Sequence, residues 1–472
     1  MPRQNGGMSY KFVAAAKNAI LITPIETAVF KGWLKKQPAA MRRWVESAGF
    51  TAEAGTHCLV SGPDGALAQV LAGVESHDSI WALAGLPEVL PAGTYAIDAR
   101  LEKQAATDVA TGWALACYRF EKYKTSGTPK KFPALVWPKG CDRGAVQRAA
   151  DAAALARDLI NTPAEDMGPP ELASAARKLA RSHKAKFRAV VGDALLKQNF
   201  PTIHAVGRAA AKAPRLIDLA WGRAGAPKVT LVGKGVCFDT GGLDLKSASG
   251  MLRMKKDMGG AACVLGLAHM IMDAGLDVRL RVLIGAVENS VSGNAYHPAD
   301  VIKTRAGITV EIGNTDAEGR LVMCDALALA EEESPDLLAD YATLTGAARV
   351  AVGTELSAYF CNNETLAADI ARAGDAVDDP TWRLPLWRGY RHLIDSPVAD
   401  VNNVGSVGQG GAITAALYLQ EFVRDKTPWA HFDIMGWNTR NRPGRPVGGE
   451  AMGIRALYRV VEDRFGKPKR RR

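Results

Sequence analysis

The residues best suited to chemistry lie in the stretch 314–321, Asn-Thr-Asp-Ala-Glu-Gly-Arg-Leu, where Asp316, Glu318 and Arg320 fall close together. Two carboxylates at i and i+2 in a tight connection can aim at one point. At that range they repel unless they share a proton, an arginine or a metal ion. Taken alone, the pattern reads more plainly as a polar turn capping the next helix, with an acid near the helix N-terminus. A second cluster weighs against that reading. Glycine-rich sequence after the strand-like run 228–232 carries Lys234, Asp239 and Lys246, and Asp257 follows just before a helical run, 259–274. Glycines let the backbone turn tightly and bring such side chains together. Each residue also has an ordinary reading: a solvated lysine, or, for Asp257, the N-cap of that helix. Together, Asp239, Asp257, Asp316 and Glu318 form a carboxylate set suited to two divalent cations in a hydrolase. Oxygen ligands leave zinc, manganese, cobalt and magnesium all open.

Competing chemistries lack their residues. There is no His-Glu-x-x-His, no Gly-x-Ser-x-Gly elbow, and neither a phosphate-loop order nor a complete GxGxxG after 228–232. A two-metal phosphoesterase is therefore left without its phosphate loop. The net charge of +10 raises nucleic acid as a partner, but no zinc finger, RNP-type strand or repeat supports one. Part of that charge is a basic tail, 467–472, read as a solvated end.

A chain of 472 residues is too long for one ordinary core and implies two domains. Apolar residues at 47% and charged residues at 23% fit a globular composition, and no window reaches the ~20 apolar residues of a membrane span. The first ten residues lack the layout of a secretory signal, and the seven cysteines are scattered, most of them inside apolar runs, with no Cys-x-x-Cys. Both point to reduced thiols and a cytoplasmic location. Residues 1–143 alternate short strand-like and helix-like pieces, a small α/β domain without a readable motif. A helical run, 144–160, is expected to link it to a catalytic domain over 161–466. There, strand candidates at 187–191, 215–221, 228–232, 278–287, 308–312, 337–344 and 430–434 alternate with helix candidates at 259–274, 321–333, 365–373 and 412–423. That alternation predicts a mostly parallel central sheet flanked by helices, with the ligand site beyond the carboxyl ends of its strands.

Set side by side, the two clusters resemble the leucyl aminopeptidase (cytosol aminopeptidase) family of dinuclear metallopeptidases. The octapeptide at 314–321 stands complete, as does a Gly-Lys-Gly…Phe-Asp-x-Gly-Gly…Lys…Asp-Met-Gly-Gly-Ala-Ala block at 233–262. Similar segments recur at 161–163, 342–346, 399–403, 411–416 and 429–434. The resemblance implies release of N-terminal residues from peptides with a free α-amine, with a broad, leucine-like preference. It makes Lys234, Asp239, Asp257, Asp316 and Glu318 the ligands of two divalent cations, manganese or zinc foremost. Asp239 and Glu318 would bridge both ions, Lys234 and Asp257 would complete the tighter site, and Asp316 the more exchangeable one. Lys246 and Arg320 match the catalytic positions, Lys246 stabilising an oxyanion and Arg320 holding a bicarbonate that acts as base on the water shared by the cations. Backbone groups of Thr343, Leu344 and Gly346 would seat the peptide, and Met254 would line the first side-chain pocket, where a thioether suits apolar residues. A homohexamer is also implied. Two departures stand out: Asp244, where a small or uncharged residue is usual, could alter the charge near Lys246, and Glu450 could favour a basic or polar substrate residue.

Overall fold

The computed structural model of the chain describes residues 10–126 and 130–466, so the basic tail expected at 467–472 lies outside the described residues. The chain divides into two compact units, one up to Ala154 together with Arg440–Val447, the other Leu155–Thr439 and the residues from Gly448 onward. The division falls inside a single helix, Arg143–Asn161. Among the described residues no helix is long and apolar enough to cross a membrane.

The first unit holds a six-stranded sheet in the order Lys11–Val13, Ala134–Val136, Thr94–Ile97, Ile20–Glu26, Leu67–Val74, His57–Ser61. Only the last pair is antiparallel. Its core gathers Ile22, Val70, Tyr95 and Leu135 from the strands against Val109 and Trp113 of the helix Lys103–Ala116.

The second unit is built on an eight-stranded sheet. Its order is Thr381–Arg383, Ser357–Cys361, Trp429–Asp433, Leu337–Ala342, Lys228–Asp239, Arg279–Asn289, Arg215–Trp221, Lys186–Val191. The four central strands, from Trp429–Asp433 to Arg279–Asn289, are mutually parallel. Both flanks attach to them through antiparallel pairs. The central strands are apolar almost throughout because helices cover both faces, as parallel sheets require. The helix Gly259–Asp273 is hydrophobic on every side, and it is buried accordingly.

Three expectations change. The strand expected at 228–232 runs on to Asp239, so Lys234 and Asp239 stand on the strand and not in a loop. The glycines that look like loop signals serve close packing instead: a Cβ on Gly233 would lie 2.8 Å from Ala261 Cα, where the helix crosses. The strand expected at 308–312 is shorter, Thr309–Glu311, and is outside the main sheet. It joins Val301–Lys303 and Val401–Asn402 in a separate three-stranded sheet. A short alternating run specifies a strand but not its sheet. The helix expected from 321 begins at Glu318, which draws Glu318 and Arg320 into its first turn. The edge strands Ser357–Cys361 and Thr381–Arg383 were not anticipated at all.

Candidate active site

Parallel strands deliver their carboxyl ends to one side, and the predicted residues arrive there from four elements. Asp239 is the last residue of its strand and Lys234 stands five residues earlier on the same strand. Asp257 comes from a 3-10 turn, Met254–Met258, and Glu318 from the start of the helix Glu318–Glu331. After Asp239 the chain turns sharply at Gly241 and Gly242, whose φ angles of 91° and 65° favour glycine. That turn returns Lys246, whose N–H donates to the Thr240 carbonyl at 2.9 Å.

Two lysines and four carboxylates then meet. Lys234 Nζ lies 2.7 Å from Asp257 Oδ2 and 2.8 Å from Glu318 Oε1, and it donates to the Thr343 carbonyl at 3.2 Å. Lys246 Nζ lies 2.8 Å from Asp239 Oδ2 and also contacts Asp316 Oδ1. Carboxylate oxygens of Asp239, Asp316 and Glu318 fall within 4.8 Å of one another, close enough to share a cation. Lys234, Asp239, Asp257 and Glu318 are all buried; Asp316 is half-buried.

This electrostatic arrangement is out of balance without a cation. Burial first, then the Asp239 carboxylate, push the Glu318 carboxyl up to about 8 against the pull of Lys234. Burial likewise raises Asp316 to about 6, with Lys246 opposing and Asp239 reinforcing the rise. Burial works against the Lys234 ammonium, yet Asp257, Glu318 and Asp239 outweigh it and hold the amine above its ordinary range. The same contest, fought mainly by Asp239, raises Lys246. Asp257 Oδ2, Asp316 Oδ1 and Glu318 Oε1 are buried, and each is held by a lysine ammonium at ion-pair distance. Four carboxylates gather about two lysines, and a divalent cation would supply positive charge where burial already pushes the Glu318 and Asp316 carboxyls up. The donor set therefore fits the metal centre that the resemblance implies.

The helix-capping alternative for Asp257 fails. The N-cap of Gly259–Asp273 is Met258, and Asp257 Oδ1 accepts from the Thr343 hydroxyl at 2.7 Å. Glu318 does stand in the first turn of its helix, where an anion is favoured, but its carboxylate is turned to Lys234. Arg320 is buried, with Nη1 donating to the Asn403 carbonyl. Met254 is half-buried. Leu344 N–H donates to Asp433 Oδ1 at 3.0 Å, and Gly346 opens a short helix capped by Thr345.

A sequence profile described as the catalytic domain of the cytosol aminopeptidase family matches residues 154–458, and one for the M17 aminopeptidase N-terminal domain matches 20–138. This chain belongs to the cytosol aminopeptidase family. It is 40% identical over 382 residues to a probable cytosol aminopeptidase of Xanthobacter autotrophicus, covering 78% of this chain and 76% of that one. A probable cytosol aminopeptidase of Rhodopseudomonas palustris is 36% identical over 456 residues, covering 90% and 91%. Among solved structures, the cytosol aminopeptidase of Coxiella burnetii superposes with a TM-score of 0.93 at 48% identity, covering 97% of this chain and 99% of that one. The bottromycin maturation enzyme BotP, solved in complex with Mn, superposes with a TM-score of 0.85 at 33% identity, covering 94% and 99%. The chain is accordingly an aminopeptidase, and the N-terminal unit, unreadable as sequence, is part of the family's architecture.

Within this cytosol aminopeptidase several site residues escape sequence reasoning because their partners are distant in the chain. Asn403 clamps the acidic loop: its Oδ1 accepts from Gly313 and Asn314 N–H at 2.7 and 3.2 Å, and its Nδ2 donates to the Asn314 carbonyl at 2.8 Å. The pairing of Glu311 with Asn402 in the small sheet brings it there. Asn289 donates to Asp239 Oδ1 at 2.8 Å and to the Thr315 carbonyl at 3.1 Å. Asp433 accepts from Leu344 and Thr345 and so braces the loop after Leu337–Ala342. The available signals are that Asn403 and Asp433 fall inside segments, 399–403 and 429–434, that resemble the family.

Both departures resolve differently from expectation. Glu450 is not free to select a substrate. It is buried, paired with Arg157 Nη2 at 3.1 Å, and also accepts from Asn438 and from Ala451 N–H. Glu450→Ala breaks this buried ion pair, and should destabilise the fold by up to about 3–5 kcal/mol. Chemical denaturation measures that loss, while the ratio of leucyl to arginyl substrate turnover should stay unchanged. Asp244 does not pair with Lys246; its carboxylate is taken by Thr315.

Proposed function

We propose that this aminopeptidase works through two divalent cations held by Lys234, Asp239, Asp257, Asp316 and Glu318, and that it removes single residues from peptides with a free α-amine. The observation that carries the reading is the cluster of four carboxylates gathered about Lys234 and Lys246, with oxygens of Asp239, Asp316 and Glu318 close enough to share a cation. Asp239 and Glu318 would serve both cations, Lys234 and Asp257 would complete one position, and Asp316 the other. Bound there, the cations would supply a water of lowered pKa and polarise the scissile carbonyl. Manganese and zinc are the first candidates, with cobalt and magnesium behind them; the manganese complex of BotP supports manganese. Lys234 ligates only as the free amine, so loading must expel its proton.

The chain's own groups do the rest. Lys246 keeps its charge and stabilises the oxyanion as it forms, an interaction worth most in the transition state. Arg320, tied through one nitrogen to Asn403, directs its remaining donors to a bicarbonate that takes up a proton. Backbone groups at Thr343, Leu344 and Gly346 seat the peptide, and Met254 gives the first pocket a broad, leucine-like preference. On the family resemblance the working assembly is a cytoplasmic homohexamer. The test is a paired assay of one leucyl-peptide with its amine free and acetylated. The free peptide should be cleaved and the acetylated one left intact, because acetylation removes the amine's lone pair. Equal cleavage of both would overturn the free-amine requirement.

A further inference from the structure

The two loops that carry the reactive groups meet at one joint, made by residues with no part in the chemistry above. Thr315, fully buried, immediately precedes Asp316; Asp244 stands two residues before Lys246. Asp244 is exposed, yet its Oδ2 reaches inward to accept from Thr315 N–H at 2.7 Å. The Thr315 hydroxyl donates to the Gly241 carbonyl at 2.6 Å and accepts from Asp244 N–H at 2.8 Å. On its other side the Thr315 carbonyl accepts from Asn289 at 3.1 Å and from the Tyr296 hydroxyl at 2.7 Å. Thr315 is thus held at its N–H, its hydroxyl and its carbonyl, and the Asp244 carboxylate supplies the charged acceptor in the set, taking the N–H at 2.7 Å and lying 3.1 Å from the hydroxyl.

We propose that Asp244 is a positioning residue for the cation site completed by Asp316. The inference rests on the two-cation reading. The backbone segment Thr315–Asp316 and the turn Gly241–Lys246 are separate pieces of chain, and the joint between them, together with Asn289, which donates to both Asp239 and the Thr315 carbonyl, sets the distance between Asp316 and Asp239. Lys234 and Asp257 approach from a strand interior and a 3-10 turn, neither of which touches Asp244, so their position does not depend on it. A charge-assisted bond to a buried backbone N–H is stronger than a neutral one. Partners that orient a ligand typically set metal affinity by about 10–100-fold.

The test is a manganese titration of the metal-stripped full chain against a chromophoric chelator, comparing wild type, Asp244→Ala, Asp244→Asn and Thr315→Val. Asp244→Ala should loosen the weaker ion by about tenfold or more and leave the tighter ion within about twofold. Asp244→Asn should loosen the same ion less than Asp244→Ala, because an amide oxygen can still accept from Thr315 N–H but without the charge. Thr315→Val should loosen the same ion, and combining it with Asp244→Ala should add less than the sum of the two losses, as shared joints do. Unchanged binding by Asp244→Ala, equal loosening of both ions, or additive losses would overturn the inference. Should Asp244→Ala fail to fold, Thr315→Val decides alone, by loosening one ion or not. A wild type that binds fewer than two ions would overturn this inference and the two-cation reading together, whereas two ions with unmoved variants would overturn only this one.

Discussion

Glu318→Ala should strip the chain of bound metal and of peptidase activity at once. Glu318 is buried, its Oε1 lies 2.8 Å from Lys234 Nζ, and a carboxylate oxygen of it groups with those of Asp239 and Asp316. As the residue proposed to serve both positions, it has no substitute in the cluster. Without it Lys234 and Asp257 are left as a simple buried ion pair at 2.7 Å, which favours the ammonium and disfavours the free amine a cation needs. The loss should exceed the about 10–100-fold typical of residues that only orient ligands. Asp257→Ala should behave alike, and metal content measured beside activity checks both. An inactive Asp257→Ala chain still carrying two ions would remove Asp257 from the ligand set.

Lys246→Ala should do the opposite: keep both ions and lose turnover. Lys246 Nζ sits against Asp239 Oδ2 and Asp316 Oδ1, so removing its charge relieves a cation from the neighbourhood of the metal ligands and should not weaken metal binding. Its charge matters when the oxyanion develops, and losing one such donor costs about 10²–10³ in kcat. The Michaelis constant should change little. A variant with normal kcat and a raised Michaelis constant would make Lys246 a ground-state binding group instead.

The acidic loop and the lysine block were legible because their residue types are chemically unusual at short spacing. Singly, Asp316, Glu318, Lys234 and Asp239 read as turn, cap or surface residues, and setting the two clusters together is what singled them out. The strand extension to Asp239 was not legible, since glycine inside a buried strand and glycine in a loop look alike until the crossing helix, Gly259–Asp273, is known. Nor was the fate of Glu450: its partner Arg157 lies 293 residues away, and only the fold brings a buried guanidinium to it. Asp244 misled for the same reason, because its proximity in sequence to Lys246 matters less than the Thr315 N–H contributed by a loop 71 residues on. The separate small sheet could not be foreseen either, because its three strands are two or three residues long and carry little pattern. Yet its register is what sets Asn403 beside the acidic loop.

Counting metal against activity tests whether Lys234, Asp239, Asp257, Asp316 and Glu318 hold two cations on which the aminopeptidase activity depends. The full chain is stripped with a chelator, shown by elemental analysis to be metal-free, and then reloaded stepwise with manganese or zinc while leucyl-peptide hydrolysis is followed. Activity should be absent from the stripped chain and should return to its plateau as two ions per chain are bound. Full activity in the metal-free chain, or a plateau reached with one ion or none, would contradict the account.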